Sequence, residues 1–148
     1  GASKQIADAC TKVQGQFTSG TCSIAQKASI AAMDADPIVL KEMISAFSNR
    51  RELVLNALNT INGVKTNVPG GAFYVFPDVS YFYGKSYNGK IITDGNDLAL
   101  YLLDQALVAL VSGEAFGDPD CIRISYAASE EVLTEAMKRI KSALEKLN

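Results

Sequence analysis

The chain has 148 residues, of which 48% are hydrophobic and 20% charged, a composition typical of one soluble globular domain with a real core. Lys and Arg number 14 against 16 Asp and Glu, and no basic run is longer than Arg50-Arg51, which argues against a nucleic-acid-binding protein. The absence of histidine rules out any catalytic triad with an imidazole base formed by this chain alone.

The cysteines Cys10, Cys22 and Cys121 are far apart and odd in number. Their spacing argues against a zinc site, so no metal is expected, and an odd count fits a reducing compartment better than a disulfide framework. No apolar stretch reaches the roughly 18 residues of a membrane span, and the first residues do not form a signal peptide. These patterns predict a cytoplasmic protein without a membrane partner.

The first part of the chain is predicted to be helical. Ser3 is a candidate cap for a first helix, and a small-residue helix is expected from about Ser23 to Met33. The hydroxyl-rich loop Thr18–Ser23 precedes it. Its residues either cap the helix, the simpler interpretation, or expose backbone N–H groups to an anion.

A long helix is predicted between two clear boundary signals. Asp36-Pro37 is a strong start and Asn62-Gly63 an equally clear stop. Apolar residues recur every three or four positions between them, with Arg50 and Arg51 interrupting the stripe. We interpret the arginine pair as a solvated turn of helix, the alternative being a salt-bridged contact to another domain.

Strands and turns are predicted next. Val64–Val68 is expected to be a short strand, and Ala72–Phe76 an aromatic strand after the turn Pro69-Gly70-Gly71, whose glycines allow backbone shapes closed to other residues. The polar and aromatic segment 80–95 is long for a connector and predicts a mobile lid or binding loop. Within it, Asn88-Gly89 is a hairpin-turn dipeptide.

The last elements define the fold class. A helix is expected from Asp94 or Asn96, then a buried strand at Val108–Val111, and a final helix capped by Ser129. Helices, two strands, a helix, two strands and a helix in this order predict an α+β fold, with helices covering one face of a small, largely antiparallel sheet.

One guanidinium lies in the middle of the strand predicted at Cys121–Tyr126. Alternation places Ile122, Ile124 and Tyr126 on one face and Arg123 on the other. Arg123 either faces plain solvent or points into a cleft. In a cleft, its planar fork would present paired donors to a carboxylate or phosphate.

Several segments together resemble the C-terminal motifs of class I aminotransferases, and are most similar to bacterial aspartate aminotransferases. They are Thr18–Gln26, Ala72–Tyr74, Val108–Gly117 and Cys121–Ala127. Each motif alone is weak, but several at family spacing along the whole chain are specific. One departure is Ser112, where the family usually has proline, which affects only the rigidity of the loop.

The resemblance implies roles for two residues of this chain. Arg123 corresponds to the arginine that grips the substrate α-carboxylate, and Phe73 lines the substrate side of the same cleft. The Thr18–Ser23 loop is expected near a homodimer interface and the partner's active site.

The resemblance also implies pyridoxal 5′-phosphate as the cofactor of the full-length enzyme. The Schiff-base lysine and most cofactor contacts are expected before Gly1, so no catalytic residue and no cofactor-binding residue is assigned in this chain. Lys4, the nearest lysine, lacks the family's surroundings. The cofactor is not expected to bind this chain alone.

Residues 1–148 are therefore expected to form the C-terminal small domain of a fold-type I transferase, with 1–36 as the helical segment leading in from a cofactor-binding domain. The full-length enzyme would transfer an amino group between an amino acid and a 2-oxo acid, and this part alone would be inactive. The alternative is a free-standing, non-catalytic module that binds a small carboxylate through Arg123.

Overall fold

The computed structural model describes all 148 residues, and the chain forms two compact units, Gly1–Lys41 and Glu42–Asn148. The helices are α1 (Lys4–Phe17), α2 (Ser23–Asp34), α3 (Lys41–Leu58), α4 (Gly95–Ala106) and α5 (Glu130–Leu144). The strands are β1 (Tyr74–Val75), β2 (Ser86–Tyr87), β3 (Lys90–Ile91), β4 (Val111–Ser112) and β5 (Ile122–Ser125). None of the helices combines the length and the apolar character that crossing a membrane requires.

The first unit is helical and contains no buried residue. Its apolar side chains are exposed, and those of Phe17, Ile24 and Met33 are exposed over 78 to 85% of their surface. After α2, the carboxylate of Asp36 accepts a hydrogen bond of 2.9 Å from the Ile38 amide, and Pro37 opens a short 3-10 turn, as predicted. This unit therefore has helices but no hydrophobic core of its own.

The second unit is built on a three-stranded antiparallel sheet in the order β1-β5-β4. Tyr74 lies opposite Ser125 in the β1–β5 pair, and Val111 lies opposite Arg123 in the β4–β5 pair. A separate hairpin is formed by β2 and β3. The predicted α+β class with a small antiparallel sheet is confirmed.

One face of this sheet is buried. Val75, Ile122 and Ile124 are at most 5% exposed and belong to one hydrophobic cluster with residues of α3, α4 and α5. Burying each such side chain contributes about 1.5 to 3 kcal/mol, so this face fixes which residues of each strand point outward. The strands predicted around Phe73–Phe76 and Ile122–Tyr126 are neighbours in this one sheet, as expected.

Two helix starts have their predicted side-chain caps, whereas Ser3 occupies the capping position of α1 without a side-chain cap hydrogen bond. The Asp94 carboxylate accepts from the Asp97 amide at 2.8 Å, and the Ser129 hydroxyl accepts from the Val132 amide at 3.4 Å. The long helix begins with the 3-10 turn at Pro37 and ends at Leu58, before the predicted stop at Gly63, whose φ is +90°.

Two predicted strands are wrong. Val64–Val68 contributes only an isolated bridge from Lys65 to Asp78, since Val68 is 71% exposed and the next residue, Pro69, has no N–H to donate. The run Val108–Val111 is not buried either. Leu107 takes a left-handed φ of +54° to end α4, so the run turns away from the helix and reaches the sheet edge only at Val111.

Segment 80–95 is folded rather than a long loop. The turn of its hairpin is Asn88-Gly89, as predicted, with φ of +50° and +79°. Phe82 and Ile92 are buried in the core, and the Ser86 amide donates to the carbonyl of Asn148 at 2.7 Å. These contacts fasten the segment to the domain, contrary to the predicted mobile lid.

Candidate functional site

Arg123 lies in the middle of the central strand, on the sheet face opposite the core. Its neighbours in sequence, Ile122 and Ile124, are buried, so alternation turns the Arg123 side chain outward. We call this surface the Arg123 face and define it by Tyr74, Val111, Arg123 and Ser125, which the strand register places on one side. The side chain of Arg123 is half-buried rather than fully solvated.

Two aromatic rings flank the guanidinium. The Cζ atom of Arg123 lies 4.2 Å from the ring centroid of Phe116 and 5.3 Å from that of Tyr74. Both distances are within the range of a cation–π interaction. None of the salt bridges within the chain includes Arg123. The guanidinium thus has aromatic neighbours but no carboxylate of its own chain to neutralise it.

A tight turn after β4 positions Phe116. Ser112 accepts a hydrogen bond from the Glu114 amide at 3.4 Å and so caps the 3-10 turn Gly113–Phe116. Position 112 is the one at which the resemblance implies proline. A Cβ atom added to Gly113 would lie 2.2 Å from the carbonyl oxygen of Asp118 and 2.4 Å from that of Cys121. Only glycine therefore fits at the first residue of this turn.

Phe73, the second predicted site residue, immediately precedes β1 and is 51% exposed. Its carbonyl accepts a hydrogen bond of 2.8 Å from the Tyr126 amide, and its ring centroid lies 5.6 Å from that of Tyr74. Tyr74 thus contacts both Phe73 and Arg123, and links the two residues that the resemblance identified.

Sequence reasoning gave Tyr74 and Phe116 no role. Both were within motifs that carried the resemblance, but Tyr74 faces Arg123 only because of the strand register, which one strand's alternation does not reveal. Phe116 reaches Arg123 through a turn after the neighbouring strand.

Phe73 also borders a cavity of about 410 Å³, lined by Met43, Phe47, Arg51 and Tyr126 among others. Arg51 is 27% exposed and donates to the carbonyl of Pro69 at 3.1 Å. Its guanidinium is therefore engaged within the domain, and the interpretation of Arg51 as part of a solvated turn is wrong.

The turn before Phe73 differs from prediction as well. Neither Gly70 nor Gly71 has a positive φ, and the left-handed residue is Ala72, at +64°. A Cβ atom added at either glycine would meet nothing within 4 Å. The left-handed backbone conformation expected at Gly70 or Gly71 therefore occurs at Ala72 instead.

The loop before α2 lacks the predicted hydroxyl cap. Cys22 occupies the capping position of α2 and makes no side-chain cap hydrogen bond. The backbone N–H groups of Ile24 and Ala25 at the start of the helix nevertheless favour the thiolate and lower the pKa of the Cys22 thiol. An anion contact of this loop stays a prediction. Its place near a homodimer interface also stays a prediction.

Other chemistry near Arg123 is limited. Burial raises the pKa of the Cys121 thiol to about 12, with a smaller contribution from hydrogen bonding to Asp118, so this thiol stays protonated at neutral pH. The structure contains no cluster of acidic or cysteine side chains that could hold a metal ion.

The comparisons with known proteins agree with one another. The family model described as aminotransferase class I and II matches residues 1–140. The bifunctional aspartate aminotransferase and glutamate/aspartate-prephenate aminotransferase of Petunia hybrida is 48% identical over 145 residues, which cover 95% of this chain and 30% of that protein.

Solved structures give the same result. The crystal structure of the aspartate aminotransferase from Rhizobium meliloti superposes with a TM-score of 0.92 at 43% identity, covering 100% of this chain and 37% of that one. The aspartate aminotransferase from Thermotoga maritima gives 0.77 at 35% identity, with 97% and 34% covered. The chain thus spans about a third of the length of the relatives that it matches.

Proposed function

Because the chain belongs to the class I and II aminotransferases, we propose that it is the part of an aspartate aminotransferase-like enzyme that binds the substrate α-carboxylate through Arg123. In the reaction an amino group moves between an amino acid and a 2-oxo acid. The family match favours this function over that of a free-standing carboxylate-binding module.

The geometry of Arg123 carries the proposal. Its half-buried guanidinium lies on the open face of the sheet, beside two aromatic rings and without an acidic partner in the chain. Partial burial strengthens its attraction for an anion, and the planar fork matches the two oxygens of a carboxylate. Two parallel N–H donors hold a substrate in position as well as bind it.

Phe73 has a supporting role in the proposal. Its ring, 51% exposed, lies 5.6 Å from the ring of Tyr74, which in turn lies beside Arg123. We propose that this ring covers one side of a substrate bound at Arg123 and keeps water away from the carboxylate contact, which strengthens that contact.

The family is generally dependent on pyridoxal 5′-phosphate, which supplies the electron sink for carbanion chemistry when it is bound. The two side chains found against Arg123, Tyr74 and Phe116, are aromatic and cannot form a Schiff base with the cofactor. We propose that the lysine and most cofactor contacts come from outside these residues.

The exposed apolar surface of the first unit, Gly1–Lys41, is consistent with a chain that packs against further protein surfaces. Its exposed apolar side chains need a covering surface, which we propose is supplied by the cofactor-binding domain and by the second subunit of a homodimer. We propose a cytoplasmic location, since an odd number of cysteines fits a reducing compartment better than a disulfide framework. Aspartate is the proposed amino donor, since relatives in Rhizobium meliloti and Pinus pinaster are named aspartate aminotransferases.

A direct test compares the full-length protein with the 148-residue chain. Each is supplied with pyridoxal 5′-phosphate, aspartate and a 2-oxo acid, and formation of the new amino acid is followed. We expect turnover by the full-length protein and none by the chain alone. Turnover by the isolated chain, with a borohydride-trappable lysine adduct, would contradict the proposal.

A further inference from the structure

We infer that Tyr74 and Phe116 are positioning residues that hold the Arg123 guanidinium in one orientation for the substrate carboxylate. This inference rests on the proposed function, because it assigns the two rings a role only through Arg123. Neither ring is assigned contact with the reacting atoms.

The two rings approach Arg123 from opposite flanks of the sheet. Tyr74 belongs to β1, on one side of the central strand, and Phe116 follows β4, on the other side. The guanidinium carbon is 5.3 Å from the first ring centroid and 4.2 Å from the second. Arg123 is therefore restrained from both neighbouring strands.

The rings are themselves supported by aromatic neighbours. Phe116 meets the ring of Phe76 edge to face, with centroids 6.3 Å apart, and Tyr74 meets Phe73 edge to face at 5.6 Å. Three of the four rings, those of Phe73, Tyr74 and Phe76, come from β1 and the residues that flank it, and Phe116 comes from the turn after β4. Such edge-to-face pairs favour a fixed geometry over free rotation.

An aromatic restraint suits this task better than an acidic one. A free arginine side chain has many rotamers, and it loses this conformational entropy when it binds a ligand. If the side chain is already held in one rotamer, the loss does not weaken substrate binding. A carboxylate partner would also fix it, but would neutralise its charge and occupy the N–H donors that the substrate needs. The rings attract the cation through their π faces and bring no competing oxygen.

The geometry also specifies which part of Tyr74 matters. The tyrosine hydroxyl makes no hydrogen bond in the structure, whereas the ring contacts Arg123. Phenylalanine at position 74 should therefore preserve the contact with Arg123, and leucine at this position should abolish it.

The test measures kcat/KM of the full-length protein for aspartate and for a second amino acid with an apolar side chain. We expect Tyr74→Phe to stay within twofold of wild type. Tyr74→Leu and Phe116→Leu should each lower kcat/KM by about tenfold for both amino acids, the size of one partly buried cation–π contact. An equal loss of kcat/KM for both amino acids would indicate that the rings act on binding of the α-carboxylate, which both substrates share.

A second measurement separates positioning from general structural support. In an Arg123→Leu background, Tyr74→Leu should have almost no further effect, because the ring acts through an arginine that is no longer present. Tyr81→Leu is the matched control. Its ring holds Lys85 at 4.9 Å and is 49% exposed, so it loses a similar contact elsewhere and should leave kcat/KM unchanged.

The outcomes distinguish this inference from the proposed function. If Arg123→Leu is severely impaired while both leucine variants of the rings retain wild-type activity, the positioning role is overturned and the carboxylate assignment stands. An equal loss from Tyr74→Leu with and without Arg123 also overturns the positioning role. Should Tyr74→Leu fail to fold, Phe116→Leu in the same two backgrounds decides. Wild-type activity of Arg123→Leu overturns both.

Discussion

The hydroxyl of Tyr126 donates a hydrogen bond of 3.0 Å to the carbonyl of Ala72, a residue whose φ is +64°. The backbone amide of Tyr126 donates to the next carbonyl, that of Phe73, at 2.8 Å. The end of β5 thus holds the start of β1 in a conformation that alanine rarely adopts. Phe73 and Tyr74 owe their positions to this pair of bonds.

Replacing Ala72 with glycine should therefore stabilise the domain. A left-handed alanine costs about 1 to 2 kcal/mol, and glycine removes this steric cost. Glycine also makes the unfolded chain more flexible, which offsets part of the gain. We expect the free energy of unfolding to rise by about 0.5 to 1 kcal/mol in urea titrations of the 148-residue chain.

The matched control is Ala127→Gly. This exposed alanine is not left-handed, so the same change should lower the free energy of unfolding slightly. Equal losses from Ala72→Gly and Ala127→Gly would show that the left-handed conformation of Ala72 carries no strain.

Gly113→Ala should destabilise the turn that presents Phe116. The added methyl would lie 2.2 Å from the Asp118 carbonyl oxygen, and backbone on both sides must move to make room. Overpacking of this kind costs about 1 to 3 kcal/mol, measurable as an earlier urea midpoint. Gly70→Ala, where a methyl meets nothing within 4 Å, is the control and should change the midpoint little.

The stability of the domain should depend on the charge of Asp78 at acidic pH. The Ser80 hydroxyl donates to this carboxylate at 2.7 Å and the Ser80 amide at 2.9 Å. These two bonds, followed by a smaller effect of Lys65, hold the pKa of Asp78 below its usual range. A lowered folded-state pKa means that the folded chain binds the proton less readily than the unfolded chain.

The contribution of Asp78 is consequently present above the unfolded-state pKa of about 4 and is lost as pH falls through the lower folded-state value. We expect Asp78→Asn to unfold at a lower temperature than wild type at pH 7, with the gap closing as the pH falls below about 4. A gap that is constant as the pH falls would mean that the charge of Asp78 does not contribute.

Sequence patterns predicted best where one local signal decides the structure. Asp36, Asp94 and Ser129 each cap a helix or turn as expected, because capping depends only on the next few residues. The alternation around Arg123 was also sufficient to place it opposite the core, since burial of Ile122 and Ile124 leaves no other choice.

Prediction failed where distant contacts decide. Val108–Val111 has the composition of a buried strand, but the left-handed Leu107 and the edge position of β4 leave Ala109 and Val111 exposed. Tyr74 and Phe116 become neighbours of Arg123 through strand order and a turn, and neither can be deduced from spacing along the chain. The local pattern therefore identified the guanidinium but not the rings that hold it.

The central claim is that Arg123 binds the substrate α-carboxylate, and kcat/KM of the full-length Arg123→Leu and Arg123→Lys variants tests it most directly. Lysine keeps the charge but replaces the fork with a point donor, and each charge-assisted bond is worth about 1.5 to 3 kcal/mol. We predict that both variants lose about two orders of magnitude or more for every amino acid and 2-oxo acid, with cofactor content almost unchanged. An Arg123→Leu variant within a few-fold of wild type, or impaired only with dicarboxylic substrates, would contradict the assignment.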